Sequence, residues 1–289
     1  MIRSCASTSP TKNPRSSSLP ELPEVETTRR GIAPALLNRR ILGATVRERR
    51  LRWPIPANFE SSVRDQTVRT VQRRAKYILI GFDSGTLILH LGMSGSLTLL
   101  KAGTPPKLHD HWDLRLDSGR LLRFHDPRRF GSLHWTEDDP GRHPRLVRLA
   151  PEPLSPKFDA EYLYKTSRRR KVAIKQFIMN SQAVVGVGNI YASEALFRAR
   201  IAPRRAAGRI TKAEAAKLTR AIKAVLSAAI KIGGTTLRDY RNADGSPGYF
   251  RQKLFVYERA GARCRVCKSP IKQFTQGQRS TYWCPTCQR

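Results

Sequence analysis

Acidic residues are scarce in this sequence. Its 289 residues include 22 aspartates and glutamates against 54 lysines and arginines, which gives a formal net charge of +32. The basic residues recur along the whole chain and do not form a single tail, so the folded surface must be positive. A polyanion is therefore the expected partner, with nucleic acid favoured over a membrane surface. A generally basic proteome or an association with ribosomes would give the same composition, so charge alone leaves this alternative open.

The sequence also lacks long apolar runs and a distributed set of cysteines. No apolar run approaches the roughly 18 to 20 residues that span a bilayer, so we predict no membrane-spanning segment and no membrane partner. Of the five cysteines, Cys5 lies near the start and the other four lie close to the C-terminus. This distribution excludes a small secreted protein held together by disulfides.

The first 19 residues differ from the rest of the chain. They contain six serines and three basic residues but no acid, and they lack the apolar stretch of a secretory signal. Their composition is loosely that of an organelle transit peptide. A disordered leader, or a coding sequence assigned too far upstream, explains it equally well.

The sequence of the N-terminal half predicts a helix followed by strands. Pro23 and Glu24 suit the first turn of a helix, which we predict to run to about Leu37. Short apolar or alternating segments then recur from residue 41 to about residue 135, separated by turn-forming residues. This pattern predicts a β-sandwich or barrel-like domain with a helix at its start.

The C-terminal half changes to a helical period after a proline-rich segment, residues 139–156, which we interpret as a linker. One helix is predicted to begin near Asn189, after two glycines. Thr211 and Glu214 form a capping-box signature at the start of another, and Gly233 ends it. Two helices joined by a turn suit a clamp on the DNA backbone in so basic a chain, although such hairpins more often serve packing alone.

Two closely spaced pairs of cysteines stand near the C-terminus, with two residues inside each pair and sixteen between the pairs. Four thiolates at this spacing favour one tetrahedral zinc ion. Because no position is left for water, the zinc is expected to be structural. The segments KQFT and STYW would form a hairpin whose tip carries Arg279. Redox pairs and coincidence are the alternative interpretations. The predicted ligands are Cys264, Cys267, Cys284 and Cys287.

A series of ordered motifs extends from Pro20 to the C-terminus: PELPEVETTRRGI, QRRAKY, HLGMSGSL, HDHWDLRL, DPRRFG, VVGVGNIYASEALF, GGTTLRDY, GYF and the cysteine pairs. Through them the sequence closely resembles the formamidopyrimidine-DNA glycosylases, bifunctional base-excision repair enzymes that act on oxidised purines. The related endonuclease VIII group shares the architecture but typically opens with PEGPE, so PELPEVET favours the purine enzymes.

The resemblance implies an α+β multidomain fold: an N-terminal β-sandwich with a leading helix, a helix-two-turn-helix domain and a C-terminal zinc ribbon. It also implies a cytoplasmic, nucleoid-associated monomer of bacterial type that binds damaged double-stranded DNA; organelle targeting is the less favoured localisation. The expected segments are a disordered or non-native leader at 1–19, the catalytic domain at 20–138, the linker at 139–156, the helical domain at 157–250 and the zinc ribbon at 251–289.

Four catalytic residues are implied by position in the family's motifs. Pro20 corresponds to the terminal proline whose amine attacks the sugar, and Glu21 to the acid that moves protons beside it. Lys76 corresponds to the lysine that assists β-elimination, and Arg279 to the arginine of δ-elimination. A terminal amine suits this role because it titrates near about 8, against about 10.4 for lysine, whereas an internal proline nitrogen is an amide. Without the resemblance, Pro20 and Glu21 would be interpreted only as the residues that precede a helix.

Six further residues correspond to positions that contact DNA or fill the space left by a flipped base. Surface charge is the alternative interpretation for the polar ones, and ordinary packing for Met93 and Phe130. The family often has lysine where this chain has Arg170. The loop at 233–249 corresponds to the segment that closes over the flipped base. The six residues are Met93, His109, Arg128, Phe130, Arg170 and Asn189.

The implied function depends on a free amine at Pro20. Because the family's initiator methionine corresponds to Leu19, we expect translation to begin at position 19, with cleavage of a leader as the second choice. The leading hypothesis is a glycosylase for 8-oxoguanine and formamidopyrimidines that then nicks DNA by β,δ-elimination. The alternatives are a non-catalytic damage-binding protein with a blocked N-terminus, and a glycosylase for oxidised pyrimidines.

The predicted phosphate contacts give a first test. Lys76, Arg128, Asn189 and Arg279 are spread over both halves of the chain, so affinity for duplex DNA should fall steeply as salt rises. Each neutralised phosphate contributes about 0.9 to the slope of log K against log salt concentration. A binding titration from low to moderate salt measures this slope. A slope near zero would show that the positive charge serves another partner.

Overall fold

The computed structural model describes residues 20–233 and 254–289. The leader, residues 1–19, and residues 234–249 of the predicted closing loop lie outside the described residues. Within the described residues, no helix is both long and apolar enough to cross a membrane.

Helix α1, Leu22–Leu36, opens the described chain, within one residue of its predicted bounds. Glu24 caps its start, because the Glu24 carboxylate accepts the backbone N–H of Glu21 at 3.0 Å. Pro23 lies in the first turn, where it has no N–H to leave unpaired. One face, which includes Ile32 and Leu36, is fully buried against the β-rich half.

The predicted β-sandwich is confirmed as two four-stranded antiparallel sheets. One has the order β1-β6-β7-β5 and the other β2-β3-β4-β8. Their shared core includes Trp112 and Phe124, which stack with ring centroids 5.4 Å apart. The short helix α2, Phe59–Val63, follows β1. The strands are β1 Ile41–Val46, β2 Thr70–Arg74, β3 Tyr77–Gly81, β4 Thr86–His90, β5 Ser96–Lys101, β6 Asp110–Leu116, β7 Arg120–His125 and β8 Ser132–Thr136.

The C-terminal half is helical, as predicted, and has its own hydrophobic core. The predicted capping box is present, since Thr211 Oγ1 accepts the N–H of Glu214 at 3.2 Å and the Glu214 carboxylate accepts the N–H of Thr211 at 2.8 Å. The helices are α3 Ala160–Ser167, α4 Ile174–Met179, α5 Asn189–Ala199 and α6 Lys212–Lys231, with single 3-10 turns at Pro140–Arg142 and Ala207–Arg209.

The last element is an antiparallel hairpin of β9, Lys272–Gln276, and β10, Arg279–Trp283. Arg279 pairs with Gln276 at its tip, as the sequence predicted. The hairpin packs on α5. The zinc-ribbon segment therefore joins the helical core, which includes Tyr282 and Cys284.

The two halves meet where α1 begins. The N–H of Leu22 donates to the carbonyl of Gly186 at 3.0 Å. Ala75, Ala150 and Val185 form a small buried cluster across the same boundary. The proline-rich segment at 139–156 contributes to this contact. It carries Glu152, whose carboxylate binds the β2–β3 turn.

Candidate active site

The carboxylate of Glu21 lies at the N-terminal end of α5. It accepts backbone N–H groups of Gly188 at 2.6 Å and Ile190 at 2.9 Å, with Tyr191 N 3.4 Å away. These groups have no partner inside the helix and carry the positive end of its dipole, so they bind an anion well. The sequence predicted that this helix end would offer its amides to phosphate. In the structure, these three amides bind Glu21.

Two glycines allow this approach. A Cβ on Gly188 would collide with the Glu21 carboxyl, and one on Gly186 would lie 2.5 Å from the Leu22 side chain. Gly186 also has φ +77°, a conformation that favours glycine. The glycines of the VVGVGN motif are therefore the residues that bring α1 and α5 into contact.

Burial raises the pKa of Glu21 to about 7, and the neighbouring Glu24 carboxylate adds to this rise. Lys76 and the two backbone N–H groups oppose the rise in pKa. The side chain is 1 % exposed, so solvent does little to stabilise its charge. A carboxyl with this pKa exchanges protons readily near neutral pH, which suits an acid–base group.

Lys76 reaches the same site from the two-residue turn between β2 and β3. Ala75 in this turn has φ +54°, and the Glu152 carboxylate accepts its N–H at 2.6 Å. Arg73 and Arg74 donate to the same carboxylate at 2.8 and 3.1 Å. Burial lowers the pKa of Lys76, Glu21 opposes that shift and Arg279 adds to it. Glu21 and Arg279 therefore both lie within electrostatic reach of Lys76.

Lys175 is a site residue that the sequence analysis missed. It is 2 % exposed, and its Nζ donates to Asn189 Oδ1 at 2.6 Å, Thr281 Oγ1 at 2.8 Å and the Ser280 carbonyl at 3.2 Å. Burial lowers the pKa of Lys175 to about 7, Arg279 adds to this shift and Glu21 opposes it. A lysine inside the apolar run VAIKQFIM was the available signal.

Asn189 is the first residue of α5, where the sequence predicted a helix start. Its Nδ2 donates to the Ser280 carbonyl at 3.1 Å, while its Oδ1 accepts from Lys175. Both ends of the amide are therefore held, and they connect the helix to the hairpin that carries Arg279.

Four of the predicted DNA-contact residues lie on neighbouring loops of the β-sandwich. Arg128 and Phe130 are exposed, and the Arg128 guanidinium lies 5.0 Å from the Phe130 ring centroid. Met93 is half-buried on the adjoining loop. His109 is exposed, with φ +73°. Arg170 is exposed on the helical half, where its carbonyl accepts the N–H of Gly208 at 2.9 Å.

The four predicted zinc ligands cluster as expected. Their sulfur atoms all lie within 4.8 Å of one another. Cys267 Sγ is 3.3 Å from Cys284 Sγ, and Cys264 Sγ is 4.0 Å from Cys287 Sγ. Tetrahedral zinc with four thiolates at about 2.3 Å requires sulfur separations of about 3.8 Å, so the site fits this ion.

Family models match nearly all of this architecture. The formamidopyrimidine-DNA glycosylase N-terminal domain matches residues 19–133, the H2TH domain of the same proteins matches 149–241, and the zinc finger found in FPG and IleRS matches 261–289. The chain belongs to the formamidopyrimidine-DNA glycosylase family. With the zinc-finger match and the cysteine cluster together, the C-terminal site holds one structural zinc ion.

Individual relatives agree with the family assignment. The formamidopyrimidine-DNA glycosylases of Thioalkalivibrio sulfidiphilus and Methylococcus capsulatus are 58% and 56% identical over 271 residues, which cover 94% of this chain and 100% of each relative. Among solved structures, the MutM (Fpg) protein of Thermus thermophilus is 38% identical with a TM-score of 0.83, covering 93% of this chain and 98% of that one. Lactococcus lactis Fpg in complex with Fapy-dG-containing DNA is 28% identical with a TM-score of 0.85, covering 93% and 100%.

The zinc site gives a direct test. Cys267→Ser removes one of four thiolates, so the chain should lose its zinc and, with the hairpin disordered, its DNA binding. The β-sandwich has its own core and should stay folded. Metal content by atomic absorption and DNA affinity are the measurements, with Val266→Ser, at an exposed position between Cys264 and Cys267, as the matched control. Full zinc content in Cys267→Ser would refute the ligand assignment.

The raised pKa of Glu21 predicts a pH-dependent stability. An unfolded chain releases this proton near pH 4.5, whereas the folded chain holds it to about pH 7. The folded state therefore binds more protons in this window, and the glutamate's contribution to stability falls as pH rises. Glu21→Gln does not titrate, so its stability relative to the wild type should increase across the window by up to roughly 3 kcal/mol.

Urea unfolding at a series of pH values between 4.5 and 7 measures this difference. Glu161→Gln, which changes an exposed glutamate on α3, is the control for the substitution itself. A stability difference between Glu21→Gln and the wild type that stays constant with pH would contradict the raised pKa.

Proposed function

We propose that this protein excises oxidised purines, such as 8-oxoguanine and formamidopyrimidines, from duplex DNA and then cuts the strand by β,δ-elimination. As a member of its family the chain is a base-excision repair DNA glycosylase; the lesion class and the strand cleavage are the proposal. The observation that carries it is the buried carboxyl of Glu21, which directly follows Pro20 and has a pKa of about 7.

Pro20 is the proposed nucleophile. A free secondary amine at this position would attack C1′ of the damaged nucleotide, displace the base and form an imine with the opened sugar. An amine must be neutral to attack, and cations such as Lys76 favour its neutral form. Pro20 directly precedes Glu21, the N-cap residue of α1, which supports a fixed approach to the sugar.

Glu21 is the proposed acid–base group. Its protonated form can donate to the sugar ring oxygen during base release, and its ionised form can then remove a proton. A pKa near neutral pH keeps both forms accessible. The backbone N–H groups of Gly188 and Ile190 hold the carboxylate in one orientation through both steps.

Lys76 and Arg279 are proposed for strand cleavage. Lys76 would contact a phosphate and assist β-elimination, and Arg279 would assist δ-elimination of the second phosphate. The electrostatic coupling between these two side chains, and between Lys76 and Glu21, supports a shared site. The zinc site orders the hairpin on which Arg279 is carried, so the metal's role is structural.

Duplex DNA is the proposed partner, with a single copy of this chain acting on it. Solved relatives in complex with damaged DNA support this choice. Met93, Arg128 and Phe130 would fill the space that the flipped nucleotide leaves. His109 and Arg170 would hold the backbone, as would Asn189 through the second Nδ2 proton, which Ser280 does not accept. Arg128 and Phe130 are exposed, as residues that enter a base stack must be, and the Arg128 guanidinium lies 5.0 Å from the Phe130 ring centroid.

The amine of Pro20 can be tested by borohydride trapping. Protein beginning at Pro20 should be trapped covalently on an 8-oxoguanine duplex, because borohydride reduces the imine. The chain with residues 1–19 retained should bind the same duplex without forming an adduct or a nick, since its proline nitrogen is an amide. Mass spectrometry confirms both termini, and gel analysis measures the adduct and the cleavage.

Two variants and a lesion panel sharpen this test. Pro20→Gly keeps a terminal amine and should retain part of the trapping, whereas Glu21→Gln should lose base excision. Equal trapping by an intact full-length chain would mean that another amine, such as a lysine, is the nucleophile. Faster excision of an oxidised pyrimidine than of 8-oxoguanine would overturn the lesion class alone.

A further inference from the structure

Asp126 is a buried carboxylate that the mechanism does not use. It lies between β7 and the loop that carries Arg128 and Phe130, and it is 0 % exposed. One oxygen accepts the hydroxyl of Ser94 at 2.6 Å, and the other accepts the backbone N–H of Gly131 at 2.8 Å. A carboxylate buried with these neutral donors fixes the position of every group that binds it.

Ser94 lies next to Met93 on the loop between β4 and β5. Its hydroxyl donates to Asp126 and also lies 3.3 Å from the backbone N–H of Arg128, which it can accept. The same N–H lies 3.3 Å from the Asp126 carboxylate. One serine hydroxyl thus connects the residue after Met93 to the backbone of Arg128.

The two loops are also in direct backbone contact. Gly92 has φ +67°, and a Cβ there would collide with the backbone of Phe130 and Gly131. The hydrogen bonds of Ser94 therefore connect two loops whose backbones are already in contact at Gly92. Asp126 extends the connection further, since its backbone N–H donates to the carbonyl of His109 at 3.0 Å.

We propose that the Ser94 hydroxyl, bound to Asp126 and to the Arg128 backbone, is a positioning group that makes Met93 and the Arg128–Phe130 loop enter the duplex as one unit. The inference rests on the proposed function, because it assumes that these side chains fill the space left by the flipped base. Flipping a nucleotide costs stacking free energy that is recovered only when the vacancy is filled. Loops fixed relative to each other can fill it in one step, without first being ordered.

The test compares two serine variants. Ser94→Ala removes the connecting hydroxyl, whereas Ser132→Ala removes a buried hydroxyl nearby that has no hydrogen-bond partner among the described residues. Ser132 lies on β8, opposite His90 and just after the Arg128–Phe130 loop. Stopped-flow fluorescence of 2-aminopurine beside an 8-oxoguanine reports the insertion step. We expect Ser94→Ala to slow it by roughly tenfold and Ser132→Ala to leave it unchanged.

A second readout separates positioning from general damage to the fold. The fraction of each variant trapped by borohydride on a duplex with a preformed abasic site counts the active molecules, and insertion rates are normalised to it. Ser94→Cys, nearly the same size but a weak donor, should give an intermediate rate. Equal normalised rates for Ser94→Ala and Ser132→Ala would overturn the inference.

The wild type distinguishes this result from a failure of the proposed function. If wild-type protein beginning at Pro20 forms no adduct on the abasic duplex, the proposed chemistry is wrong. If it forms the adduct and shows the insertion signal, but Ser94→Ala inserts at the wild-type rate, only the positioning role is wrong. A drop in insertion rate that is larger in Ser94→Ala than in Ser94→Cys, with full trapping, supports it.

Discussion

The candidate active site depends on one contact, the binding of the Glu21 carboxylate to backbone N–H groups at the N-terminal end of α5. Glu21 and Ile190 are 169 residues apart in the chain and belong to different halves of the molecule. An unpaired carboxylate buried in protein is costly, and a helix N-terminus without acceptors for its amides is also costly. Here the amides at the start of α5 donate to the Glu21 carboxylate, so neither group is left unpaired. The halves are therefore held together at the point where the proposed chemistry takes place.

This contact also sets the charge of the site. Burial favours the neutral form of every ionisable group, so it raises the pKa of Glu21 and lowers the pKa of both Lys76 and Lys175. Glu21 and Lys175 consequently titrate near the same pH, about 7. A strongly basic protein thus contains a site in which a protonated acid and an uncharged amine can coexist near neutral pH.

Local signals in the sequence were sufficient for the elements and the zinc site. Pro23 with Glu24, and Thr211 with Glu214, predicted where α1 and α6 begin, because helix caps are formed by residues close together in the chain. The cysteine spacing predicted the metal cluster for the same reason. Lys175, Glu152 and Asp126 were not predicted, since each acts on groups that are distant in sequence. Nothing local distinguishes a carboxylate that holds a remote turn from one in solvent.

Because acidic residues are scarce in this chain, the burial of several of them affects the charge of the surface. Among the described residues, the buried acids are Glu21, Glu24, Glu26, Asp110, Asp113, Asp126 and Glu194, and the buried lysine and arginine residues are Lys175 and Arg123. Acids that are buried bind backbone amides, hydroxyls and arginines, and they contribute little to the surface. The surface that remains is more positive than the composition alone indicates, so the same few carboxylates both hold distant segments together and leave the exterior free to attract a polyanion.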